Sequence, residues 1–320
     1  MLTSNNAVFV CGATGSQGGA LALKLRKDLN WSVHSTARNL ASPAAISLLE
    51  AGVRLTQGDW DNEAALIAAL QGCNKMFLCL LPDFKDSDRE RRQAEVIVKV
   101  AKAAGVKQVI VSTSLGVFTL DDPQLETEVR EHLTPDSFMA RHIASKKGVE
   151  DAVRDGCFDY WTILRPSFFM ANFLEPKVAR YPEPREHGTW TTAMTPESRL
   201  ALIDHVDIAA FAVEAFRNPQ KYHGRAFGLA SDILTVQNTL DILGKAAEKP
   251  LKAIFMTDEE IREKQKTSNV FTNSQISMRY MTKYINMDEI TGVIQPTTFK
   301  EFLDREDKAV RETYNSRNSI

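Results

Sequence analysis

Cysteine is scarce in this chain, and the little present carries no pattern. The four residues Cys11, Cys73, Cys79 and Cys157 stand singly within or beside apolar runs. They have neither metal-ligand nor redox spacing, which excludes a metal centre or a dithiol site built from them. All four are expected to be reduced packing residues of a cytoplasmic protein. An excess of one charge is lacking too. The 39 basic and 41 acidic residues leave a net charge of −2, so no overall field draws the chain toward nucleic acid or an anionic membrane. Long apolar runs are missing: no stretch reaches the roughly 20 residues of a transmembrane helix. The polar opening Met1–Asn6 leads directly into Ala7-Val8-Phe9-Val10-Cys11, without the charged and then apolar layout of a signal peptide. There is no internal repeat and no low-complexity tract, and the Asn315–Ile320 tail is expected to fray.

What the chain does have is length and periodicity. With 320 residues, 43% of them hydrophobic, it can bury a large α/β core. Short β-branched runs at Ala7–Cys11, Ser32–Ala37, Arg54–Gln57, Lys75–Leu80, Gln108–Ser112 and Tyr160–Leu164 read as strands. The intervening Gly18–Leu29, Asp61–Leu70, Asp88–Ala104 and Phe138–Arg154 carry apolar residues at helical intervals. That alternation predicts an α/β protein with a Rossmann-type, doubly wound parallel sheet, its ligand lying beyond the carboxyl ends of the strands. Residues 1–165 are expected to form this domain. Residues 166–320 are expected to form a smaller α/β substrate lobe, with some elements returning to the sheet. In that second part Glu175–Pro196 reads as a long surface excursion. His205–Phe216, Thr235–Lys245, Asp258–Lys266 and Thr298–Tyr314 read as helices, and Gly224–Ala230 as a strand.

Directly after the first strand stand Gly12-Ala13-Thr14-Gly15-Ser16-Gln17-Gly18, with a helix-forming run following at once. A strand-to-helix turn of this composition turns backbone N–H groups and a helix N-terminus toward a pyrophosphate, with glycine removing the Cβ that would obstruct it. The same glycines also suit a simple tight turn. The second strand ends at Arg38, where an NAD site would put Asp or Glu for the ribose 2′-hydroxyl. A guanidinium there suits a 2′-phosphate, which points to NADP(H) as the cofactor; the alternative is a surface arginine. After the third strand Asp59 is placed to accept from an adenine amino group, and Asp61 to cap the next helix. Leu80, Leu81 and Pro82 close the fourth strand, where fold analogy runs the backbone beneath the cofactor.

These features, with His142-x-x-x-Lys146-x-x-Val149-Glu150, Arg165-Pro166-Ser167-Phe168-Phe169-Met170-Ala171-Asn172 and Asp204-His205-Val206-Asp207-Ile208-Ala209, resemble the NmrA-like family, an atypical branch of the short-chain dehydrogenase/reductase superfamily. The resemblance covers most of the chain. It implies either an NADP(H)-dependent reductase or a protein that binds the dinucleotide and reports redox state to protein partners.

The Tyr-x-x-x-Lys pair of typical superfamily members is absent. The corresponding helix has His142 and Lys146 instead, four residues apart and so on one face, continued by Val149 and Val153. A lysine on an apolar stripe needs a partner, and cofactor ribose or phosphate oxygens would supply one; the alternative is a snorkelling lysine. His142 is a candidate proton donor or a structural histidine. Ser114, or Thr113 beside it, stands where the superfamily puts a substrate-polarising hydroxyl, or else satisfies local backbone groups. Phe168, Phe169, Met170 and Asn172 are candidates for the nicotinamide end, with core packing as the alternative for the phenylalanines.

The leading expectation is an oxidoreductase passing hydride from NADPH to a small, fairly apolar carbonyl, imine or enone. The alternative is a regulator whose partner binding changes with cofactor occupancy, in which case a nuclear location fits as well as a cytoplasmic one. No metal, nucleic-acid or membrane partner is expected, and a homodimer is left open.

Overall fold

The computed structural model describes residues 6–83, 85–133, 137–266 and 270–315. Apart from Asn6 and Asn315, the polar opening and the tail lie outside the described residues.

The chain divides into two compact units. The first comprises the described residues of Met1–Leu120, Arg141–Arg165 and His205–Phe227, the second those of Asp121–Ala140, Pro166–Asp204 and Gly228–Ile320. The first unit is built on β1 (Ala7–Val10), β2 (Ser32–Ala37), β3 (Arg54–Gln57), β4 (Lys75–Cys79), β5 (Gln108–Ser112) and β6 (Tyr160–Pro166). All six run parallel, through the pairings β3–β2, β2–β1, β1–β4, β4–β5 and β5–β6. A seventh strand, β7 (Arg225–Leu229), lies on the free side of β6, giving the order β7-β6-β5-β4-β1-β2-β3. This is a Rossmann-type sheet. The strand order reverses between β1 and β4, so the turns after those two strands flank the crevice where such sheets take ligands.

Burial explains why these residues form strands. All four residues of β1 and all five of β5 are buried, and the solvent-free middle of a parallel sheet calls for continuous β-branched or apolar side chains rather than alternation. The edge strand β3 is the exception, with Arg54 and Gln57 exposed, which keeps its open side from pairing with another chain. The helices α1 (Ser16–Leu29), α2 (Pro43–Glu50), α3 (Glu63–Leu70), α4 (Arg89–Ala103), α5 (Phe138–Asp155) and α6 (His205–Arg217) accompany these strands. In α4 the buried residues Glu90, Ala94, Ile97 and Ala101 recur at helical spacing, so a carboxylate occupies a position on the apolar stripe.

Several expectations need correction. α2 is a helix the apolar periodicity did not reveal, though Ser42 caps it through the Ala45 N–H and Pro43 opens it. Asn62, not Asp61, caps α3, accepting from the Ala65 N–H at 3.0 Å. Cys157 is exposed and adopts a left-handed backbone (φ 51°), so it is no packing residue. Cys11 and Cys73 are buried, as expected, and burial pushes both thiols up, Cys73 to about 12.

The second unit has a three-stranded sheet of Phe168–Phe169, Arg199–Ile203 and Asp232–Thr235, and a strand pair of Thr189–Thr192 with Lys252–Phe255. Its core is aromatic, with Phe168, Phe173, Trp190, Phe299 and Phe302 all buried. Within the expected surface excursion, Val178 and Trp190 are buried, so that segment is partly core. The helix expected over Thr298–Tyr314 is two, Phe299–Arg305 and Asp307–Tyr314, broken at Glu306. Among the described residues no helix is long and apolar enough to cross a membrane, and no cluster of His, Cys, Asp and Glu suits a metal.

Candidate functional site

The turn after β1 is shaped by its glycines. Cys11 N–H still belongs to the sheet, donating to Phe77 O at 2.8 Å. At Gly12 the backbone enters the left-handed region (φ +70°), and the Gly15 N–H donates back to Gly12 O at 2.9 Å. α1 starts at Ser16 so close behind that a Cβ on Gly18 would stand 2.4 Å from Gly12 O, 2.6 Å from Gly12 C and 2.8 Å from Cys11 O. No side chain caps this helix start, Thr14 and Gly15 are exposed, and the first turn of α1 holds no acidic residue. The N–H groups of that turn therefore face outward with the positive end of a 14-residue helix behind them. The residues present fit a dinucleotide pyrophosphate. Gln17 points elsewhere, since its side-chain oxygen accepts from Ser112 Oγ at 2.7 Å and ties α1 to the end of β5.

Arg38 lies at the end of β2. β2 is the strand paired with β1, so Arg38 stands one strand over from the glycine turn. Its side chain is exposed and has no partner among the described residues. Asp59, also exposed, accepts from the Asp61 N–H at 3.1 Å. Asp61 pairs with Arg89 at 2.5 Å and accepts from Gln93 at 2.9 Å. The Arg89 guanidinium holds the Asp61 carboxyl below the usual carboxylate range. Arg89 also reaches Asp83 at 2.8 Å, clamping the β3–α3 loop to the β4–α4 loop beside a cavity of about 400 Å³. Of the charges lining that cavity, Asp61 and Asp83 pair with Arg89, and Asp86 with Arg92.

At the end of β4, Leu80 is buried, Pro82 half-buried and Leu81 67% exposed. Lys146 from α5 comes to this point. It is only 6% exposed and donates to Leu80 O at 3.0 Å. Its ammonium also forms an ion pair with Glu90, which is 1% exposed in the first turn of α4. Lys146 thus meets the requirement that a buried charge be paired. Two of its three N–H donors are used, and the third has no acceptor among the described residues. Lys147 turns away and pairs with Asp151 at 2.6 Å. Sequence reasoning missed Glu90, although a carboxylate on the apolar stripe of α4 was a readable signal.

His142 stands one turn before Lys146. Burial first, and the nearby Lys146 charge second, lower its pKa to about 4. A pKa this low favours the neutral imidazole near pH 7.

At the end of β5 the hydroxyls divide. Ser112 is spent on Gln17, and Thr113 donates to Glu150 Oε1 at 2.7 Å. Ser114 accepts from the Gly116 N–H at 3.4 Å, and its own hydrogen has no acceptor among the described residues. Of the two candidates, Ser114 is the one left with a donor. Glu150 is fully buried and accepts from Arg165 Nε at 2.9 Å and Nη2 at 2.7 Å, and from Arg154 at 3.1 Å. Arg165, 1% exposed, lies with its guanidinium 4.1 Å from the centre of the Phe118 ring. Both residues stood in the motifs quoted above, yet nothing in the spacing paired them.

The remaining candidates belong to the second unit. Phe168 packs against Phe173, Tyr181 and Trp190 with ring centroids 5.4–6.1 Å apart, so it is a core residue. Met170 is fully buried. Phe169 is half-buried with Lys177 Nζ 5.6 Å from its ring centre, and Asn172 is half-buried on a 3-10 turn.

Comparison with known proteins bears on this arrangement. The model of the NmrA-like family matches residues 4–303. A (4-alkanoyl-5-oxo-2,5-dihydrofuran-3-yl)methyl phosphate reductase of Streptomyces griseus subsp. griseus is 28% identical over 246 residues, which cover 77% of this chain and 75% of that protein. The Escherichia coli NADPH-dependent quinone oxidoreductase QOR2, solved with NADPH, superposes with a TM-score of 0.70 at 21% identity over 93% of this chain and 99% of that one. NmrA, a negative transcriptional regulator solved with NADP, gives a TM-score of 0.65 at 16% identity over 99% of each chain. The glycine turn, the sheet order and a family match spanning nearly all of the sequence agree: the chain belongs to the NmrA-like family.

Proposed function

We propose that this chain is an NADP(H)-dependent oxidoreductase that reduces a small, fairly apolar carbonyl, imine or enone. The observation carrying the proposal is an open helix N-terminus behind the glycine turn together with an arginine one strand over that has no partner among the described residues. The turn suits a pyrophosphate, and a guanidinium beside it suits a 2′-phosphate. When bound, NADPH supplies the hydride. The chain's own contribution is placement. Lys146, tied to Leu80 O, has one N–H left for a ribose oxygen, and Ser114 has one hydroxyl hydrogen for an acceptor oxygen. The reductase and the quinone oxidoreductase among its relatives support turnover in preference to sensing alone.

The site's proton inventory narrows the acceptor. His142 is neutral, α5 contains no tyrosine, and the Lys146 charge is matched by Glu90. With no tyrosine on α5 and the His142 pKa lowered by burial, the final proton comes from water. This favours acceptors whose reduced form is a conjugated anion, such as quinones and enones, over isolated ketones. Assays of NADPH oxidation are expected to give kcat/KM roughly 100-fold higher for conjugated acceptors, the scale of a missing general acid. The rate should show no imidazole limb between about pH 5 and 8, where an ordinary histidine titrates. NADPH binding with no turnover on any acceptor would contradict the enzyme and leave the cofactor-sensing regulator.

A further inference from the structure

Glu90 has no place in the reading above beyond matching a charge, yet its position is specific. It sits in the first turn of α4, one residue after Arg89, and crosses to α5 to meet Lys146 at the end of β4. Lys146 is thereby fixed from two sides: Leu80 O holds it from the strand at 3.0 Å and the Glu90 carboxylate from the helix. We propose that Glu90 is the positioning residue of Lys146, keeping its ammonium charged and its third N–H aimed at a cofactor ribose oxygen. This rests on the reading of Lys146 as a cofactor-binding residue.

A lysine with 6% exposure and no carboxylate would shed its proton, because a low dielectric disfavours the charged form. A neutral amine is a weaker donor, and freed from Glu90 it would also lose its fixed direction. Burial pushes the Glu90 carboxyl up, and the Lys146 ammonium pulls against that shift. The nearby basic groups do not compete with Lys146 for the Glu90 carboxylate. Arg91, whose stem passes Gly148 on α5, commits its guanidinium to Asp88 and Glu95. Arg89 is committed to Asp61 and Asp83, and burial lowers the His142 pKa to about 4.

The test is a thermodynamic cycle on NADPH affinity, measured by calorimetry on the full chain between about pH 7 and 9, a range in which a buried lysine without its partner titrates. Wild-type affinity is expected to stay flat with pH. Glu90→Gln should weaken binding about tenfold toward the alkaline end as the amine loses its proton. Glu90→Asp, which keeps the charge and is the safer protein to make, should restore a flat profile while weakening binding a few-fold through its shorter reach. Neither change should matter in a Lys146→Met protein, since the effect runs through the lysine. Wild-type affinity in both Glu90 variants, or equal losses with and without Lys146, overturns the inference and leaves the reductase reading standing. A wild-type protein that does not bind NADPH overturns both.

Discussion

Gly18→Ala is expected to lower NADPH affinity by about 100-fold or more, the scale of an ångström-sized misplacement in a preorganised site. The added Cβ would stand 2.4 Å from Gly12 O, 2.6 Å from Gly12 C and 2.8 Å from Cys11 O. All three are backbone atoms, so no side chain can rotate aside. Either α1 slides away from β1 or the turn unwinds, and in both cases the N–H groups at the helix start lose their common direction. Gly19→Ala is the matched control. Its Cβ would lie 3.0 Å from Ala13 O alone, which a small shift relieves, and its loss should be much smaller. Calorimetry with NADPH, alongside circular dichroism to establish that both variants fold, checks the pair. Full affinity in Gly18→Ala would mean the turn does not bind the dinucleotide.

Glu150→Ala is expected to be the most destabilising single substitution in the first unit, by about 3–5 kcal/mol, the cost of breaking a buried ion pair from one side. Glu150 accepts from Thr113, Arg154 and Arg165 at once, and Arg165 is almost wholly enclosed. Removing the carboxylate takes the acceptor of Nε and Nη2 away from a guanidinium that lies over the Phe118 ring. Replacing both members, Glu150→Met with Arg165→Met, should recover part of the loss, because neither charge of the pair is then left in place without the other. Chemical denaturation followed by fluorescence measures all three proteins. A Glu150→Ala protein within about 1 kcal/mol of wild type, the worth of an exposed pair, would show that the network is not a stabilising centre.

How much of this was legible in the sequence depends on how local the signal was. β2, β3 and β5 match the expected bounds, and α1 begins only two residues early, because strand burial and helical periodicity are written in consecutive residues. The glycine turn and Arg38 were legible for the same reason. The burial of Lys146 followed from its place on a stripe with Val149 and Val153, and all three are buried. Its partner did not follow. Glu90 lies 56 residues away, and periodicity says which face is buried without saying what meets it. Glu150 and Arg165 were visible as motif members but not as a pair. The strands of the second unit, two to five residues long, are too short for alternation to register. Asp61 and Asn62 are adjacent and both good caps, and the choice between them went to Asn62 once Arg89 and Gln93 engaged Asp61.

The account depends on a phosphate-binding turn with a guanidinium beside it. Titration calorimetry of the wild-type and Arg38→Ala proteins with NADPH and with NADH tests this most directly. The expected result is wild-type binding of NADPH at least about tenfold tighter than NADH, the worth of one charge-assisted phosphate contact, with the preference vanishing in Arg38→Ala while NADH affinity is unchanged. Wild-type protein that binds neither nucleotide, or that takes NADH as tightly as NADPH, would contradict it.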